Sequence, residues 1–102
     1  MKLAFESHPG PDASPVLLLL HGFLSSRAQW TSVINSLCEF CRPVTAELWC
    51  HGSSPVPGEA KFYKAPGYSE AFETLRKEID VGSWFVCGQS FSAGLIAQLD
   101  PT

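Results

Sequence analysis

The sequence predicts an α/β fold, a mostly parallel sheet with flanking helices. Three observations carry that reading. Residues 16–20, VLLLL, are a continuous apolar run between Pro15 and His21-Gly22, with the length of a strand covered on both faces. Two more short apolar runs, 44–49 and 83–88, alternate with stretches of helical period. Each of the three runs ends in a loop of glycine and small polar residues. Strands alternating with helices specify crossover connections, and so parallel neighbours within one sheet.

In chain order, residues 2–6, KLAFE, alternate enough for a short edge strand, and the Pro- and Gly-rich SHPGPDASP follows as a loop. After the VLLLL strand, Ser26 with Gln29 three residues on resembles a capping box. It opens a helix whose apolar positions are Trp30, Val33, Ile34, Leu37 and Cys38, and Arg42-Pro43 ends the pattern. VTAELW, 44–49, has the β-branched start of a second buried strand. The polar stretch 50–67 holds three prolines and three glycines, a long loop of the kind that is functional or mobile. Ser69 is the expected N-cap of a helix with Phe72, Leu75 and Ile79 on one face and Glu70 and Glu73 in its first turn. SWFVCG, 83–88, is the third strand, and 90–99 form a short helix that Asp100-Pro101 does not prolong.

Composition narrows the function. A chain of 102 residues is one domain at most. Apolar residues make up 45% and charged residues 17%, a folded globular balance. Seven basic against ten acidic residues give a net charge of -3 with no basic run, so neither nucleic acid nor an anionic membrane is an expected partner. The longest aliphatic run is five residues, against the roughly 20 of a spanning helix. MKLAFESHPGPDASP does not read as a signal peptide, so a cytoplasmic protein is expected. Cys38-x-x-Cys41 with Cys50-His51 has the outline of a zinc site. Cys38 and Cys41 belong to an apolar helix and its end, and Cys87 to a strand, so no metal is expected.

The chemistry concentrates at 88–94, Gly-Gln-Ser-Phe-Ser-Ala-Gly. A serine on a sharp strand-to-helix turn needs small residues two before and two after it, and Gly88 and Ser92 flank Ser90 in that way. Such a turn exposes the Ser90 hydroxyl and aims the helix N-terminus at an oxyanion. An ordinary turn with Ser90 as N-cap is the plainer alternative. The turn lacks G-x-G-x-x-G for a dinucleotide and the Gly-Lys-Ser/Thr ending of a phosphate loop. An oxyanion needs amide donors from two loops. Phe91 can supply one and Phe23, in His21-Gly22-Phe23, the other. His21 suits shaping that turn better than acting as a base.

Together PVLLLLHGFLSSRAQW, AELWCHGSSP and WFVCGQSFSAG resemble the front half of an α/β-hydrolase-fold enzyme. The resemblance implies an oxyanion loop at His21-Gly22, a second motif at 47–54, and a nucleophile elbow at Gly88, Gln89 and Ser90. The HGFLSS...W loop is most similar to the branch containing the menaquinone-pathway lyase that makes 2-succinyl-6-hydroxy-2,4-cyclohexadiene-1-carboxylate. It implies a serine enzyme of small ester, acyl or carbonyl substrates with no cofactor, or a pyruvate-eliminating lyase. Trp49-Cys50 replaces the family's Pro-Gly, and Ser92 the last glycine of its elbow.

In that family the order is Ser, then Asp or Glu, then His, and here Asp100 but no histidine follows Ser90. His8, His21 and His51 lie upstream in other loops. The expectation is therefore an N-terminal portion, 1–102, of a single domain truncated after the elbow helix and lacking the base. Its partners would be a small substrate and either a complementing C-terminal half or a second copy, covering the bare edge of the last strand. Marginal stability follows from the same reading. A catalytically inactive binding or assembly module is the reading from another class.

Overall fold

The apolar run at 16–20 becomes the middle of the sheet. In the computed structural model, which describes residues 1–98, β2 (Val16–Leu20) pairs in parallel with β3 (Arg42–Ala46) on one side and β4 (Phe85–Gly88) on the other. β1 (Phe5–Ser7) runs antiparallel along the far side of β3, giving the order β1-β3-β2-β4. The chain thus goes outward from β2 to β3 and then returns across β2 to β4. Such a reversal leaves a crevice beyond the carboxyl ends of the strands.

The side chains alternate between two unequal faces. Leu18 and Leu20 of β2 and Val44 and Ala46 of β3 are buried with Tyr68, Phe72 and Leu75 of α2 (Ala65–Ile79) and Leu95 of α3 (Phe91–Ala97). Full burial of each large apolar side chain contributes about 1.5–3 kcal/mol, so this face dominates the core. The opposite face meets the shorter α1 (Thr31–Leu37), no residue of which is fully buried. Phe85 and Cys87 of β4 are exposed there, although their strand reads as wholly apolar.

Element boundaries differ from expectation for identifiable reasons. The helix expected from Ser26 divides into a 3-10 turn, Arg27–Trp30, and α1. Ser26 Oγ accepts from the Ala28 amide at 3.3 Å, but Gln29 leaves the capping box and accepts from the Gly22 amide at 3.1 Å. The second strand starts at Arg42 rather than 44 and stops at Ala46 rather than 49. Pro43 is tolerated because it sits where the β1 ladder ends. It accepts from the His8 amide and has no N–H to return. The long helix starts four residues ahead of Ser69, since Pro66 suits a first turn, and Glu70 and Glu73 fall inside it. Residues 99–102, including Asp100, lie outside the described residues. Among those described, no helix is long and apolar enough to cross a membrane.

Candidate active site

Three loops leave the carboxyl ends of β2, β3 and β4 and meet in space. Gln89 N donates to Leu20 O at 3.2 Å, carrying the β2–β4 pairing one residue into the turn. Ser90 then takes φ 58° and ψ -115°, a conformation costing a non-glycine residue on the order of 1–3 kcal/mol. Ser90 is exposed. The strand and helix on either side come close: a Cβ on Gly88 would stand 2.8 Å from Ser92 C and 2.9 Å from Ser92 O.

Ser92 does more than stay small. It is fully buried, and its Oγ donates to His21 O at 2.6 Å, tying the elbow helix to the loop after β2. Sequence spacing could not reveal this bond between residues 71 apart. His21 is also buried. Its Nδ1 donates to Gly22 O at 2.7 Å and its Nε2 accepts from the Leu48 amide at 3.1 Å. Gly22 lies against Gln89, whose Oε1 accepts from Gln29 Nε2 at 3.2 Å.

Phe23 and Phe91 lie on this same rim, their ring centroids 6.1 Å apart. Neither backbone amide donates a hydrogen bond among the described residues. Leu24, at φ 66°, turns its amide to His51 Nε2 at 2.9 Å. His51 Nδ1 donates to Trp49 O at 2.8 Å, so both its nitrogens are engaged. His8 lies on the α1 face of the sheet, with Nε2 3.4 Å from Thr45 Oγ1. It lines a cleft of about 440 Å³ against α1 and takes no part in the rim.

Glu47, which sequence reasoning had placed only as a motif position, holds the first two loops together. It is buried, with Oε1 accepting from the Ser53 amide at 3.0 Å and Oε2 from the Arg27 amide at 3.4 Å. Gly52, at φ 51°, passes so close that any Cβ would overlap the carboxylate. Ser54 Oγ adds bonds to Glu47 O and from the Ala4 amide.

Burial holds the pKa of His21 below its ordinary value of 6.5, with His51 adding to the effect. The folded form therefore favours the neutral ring, and the unfolded chain binds the extra proton. Urea midpoints should hold above pH about 6.5 and fall as pH drops through it, until folded His21 itself protonates. His21→Gln should flatten that part of the profile. An unchanged slope would assign the pH dependence elsewhere.

Solved structures similar to this chain include epoxide hydrolases and an esterase. The chain superposes on a Vigna radiata epoxide hydrolase mutant with a TM-score of 0.85 at 21% identity, over 95% of this chain and 30% of that one. An epoxide hydrolase of the alpha/beta hydrolases superfamily, from metagenomes of hot environments, gives 0.81 at 24%, over 91% and 31%. A marine microorganism esterase gives 0.72 at 21%, over 83% and 31%. The chain has the α/β-hydrolase fold. It spans about 30% of the length of these structures. No protein-family model matches it, and no curated relative does.

Proposed function

We propose that the chain carries the nucleophile portion of a serine enzyme acting on small ester, acyl or carbonyl substrates. Ser90 is the nucleophile, and the amides of Phe23 and Phe91 receive the oxyanion. The observation that supports this most is the exposed Ser90 at positive φ on a strand-to-helix turn, with two uncommitted amides on the same rim. Ser90 Oγ attacks the carbonyl carbon, its proton passes to a base, and negative charge on oxygen meets the two N–H donors.

The nucleophile's chemistry favours an acyl substrate over an epoxide, despite the epoxide hydrolases among the similar structures. A hydroxyl opening an epoxide leaves a stable ether, whereas one attacking a carbonyl leaves an ester that water can cleave. The base is supplied from outside residues 1–98, because His21 and His51 have both ring nitrogens engaged and His8 faces the cleft against α1. Residues 1–102 are then the first portion of one domain, completed along the bare edge of β4 by a C-terminal part or, failing that, a second copy. The four free thiols suit a reducing, cytoplasmic setting, and the scheme uses no cofactor.

A fluorophosphonate tests this reading. Attack of Ser90 Oγ on phosphorus expels fluoride and leaves a stable adduct. Slow labelling at Ser90, accelerated by added imidazole and lost in Ser90→Ala, is expected. No labelling in either condition would favour the inactive module. Fast, imidazole-independent labelling would place the base within this chain. The pyruvate-eliminating lyase rests on the loop resemblance at 21–30 alone. Turnover of the menaquinone-pathway intermediate in preference to a p-nitrophenyl ester would establish it.

A further inference from the structure

Beside the rim lies a cavity of about 210 Å³ whose walls are nearly all rings. Phe23 and Phe91 form the side next to Ser90, and Trp49, Tyr63 and Tyr68 form the rest, with Cys50 and His51 between them. The rings make one continuous wall: Tyr68 is 6.5 Å from Phe91 and 6.4 Å from Trp49, centroid to centroid. Tyr63 hydroxyl donates to Pro57 O at 2.5 Å, so the Cys50 thiol at 3.2 Å donates to the phenol oxygen. That bond fixes the thiol at the edge of the cavity. Burial pushes the Tyr68 phenol up to about 12.

We infer that this cavity receives the aromatic acyl group of the substrate, a benzoyl or phenylacetyl group of single-ring size. This deepens the serine-enzyme reading and rests on it for the reaction, though not for binding. Size is the first match, since an apolar cavity of about 150 Å³ takes up benzene. A single ring with its carbonyl is of a size to be held in 210 Å³. The lining is the second. Aromatic walls reward a planar guest through offset and edge-to-face contacts of about 0.5–1.5 kcal/mol each beyond area burial.

Among the described residues no carboxylate, ammonium or guanidinium lines the cavity, so a charged group would enter without a counter-charge from them. Phe23 and Phe91 connect pocket to chemistry, because each contributes a ring to the wall and an amide to the rim.

Cys50 gives a readout independent of catalysis. Its alkylation by iodoacetamide is followed by mass spectrometry in the full chain, with exposed Cys87 as internal control. Millimolar benzamide should slow modification of Cys50 at least fivefold and leave Cys87 unchanged, in the wild type and in Ser90→Ala alike. Phe91→Ala should weaken the protection. Hexanamide or tetramethylammonium protecting as well as benzamide would overturn the aromatic assignment, as would no protection at all. Protection without fluorophosphonate labelling would leave the pocket standing and remove the nucleophile. Labelling without protection would do the reverse.

Discussion

Replacing Gly88 by alanine should lower stability by about 3 kcal/mol and abolish fluorophosphonate capture at Ser90. The new methyl would stand 2.8 and 2.9 Å from the carbonyl carbon and oxygen of Ser92, and 2.6 Å from Ile96 Cδ1. The Ile96 terminus can swing away, but the Ser92 carbonyl is backbone and moves only with α3. That movement would pull the Ser92 hydroxyl from His21 O and relax the positive φ of Ser90. Two readouts therefore change together, the urea midpoint and the yield of labelled Ser90. A variant that loses stability yet keeps full labelling would show that close approach at Gly88 has no part in presenting the serine.

Glu47→Ala should cost about as much, about 3 kcal/mol, through a different mechanism. The Glu47 carboxylate is buried, and its two oxygens serve the amides of Ser53 and Arg27 on separate loops. Hydrogen bonds to a charged acceptor are worth about 1.5–3 kcal/mol each, and their loss leaves two inward-facing donors unmet. Arg27 Nε is 3.9 Å away and partly solvent-exposed, so its ion pair adds little. Glu47→Gln keeps one amide oxygen as acceptor and should cost less than half as much. Denaturation midpoints of the three chains check the ranking. Equal stability of wild type and Glu47→Ala would mean the loops are held by other bonds.

The strands were legible because their signal is local. VLLLL cannot be amphipathic at any period, and its burial in mid-sheet follows from composition alone. The positions of Gly88, Ser90 and Phe91 at a strand-to-helix turn were legible for the same reason. What stayed hidden depends on contacts between distant residues. The Gln29 side chain is drawn from its capping box by the Gly22 amide, and the Ser92 hydroxyl serves a carbonyl in another loop. Glu47 shows no sign in sequence of the two loops it joins. The start of α2 was misplaced because Pro66 and Gly67 read as loop residues, whereas proline also suits a first turn. The bare face of β4 has another origin: strand patterning records what a segment can bury, and Phe85 and Cys87 have nothing over them here.

Capture of a tetrahedral anion at position 90 would probe the core of the account most directly. Phenylboronic acid forms a boron–oxygen bond with an exposed serine, and amide resonances report which donors meet the resulting charge. In a titration followed by ¹⁵N–¹H spectra, the Phe23 and Phe91 signals should move downfield together, and neither should move in Ser90→Ala. An adduct on Ser90 that leaves both signals in place would contradict the account.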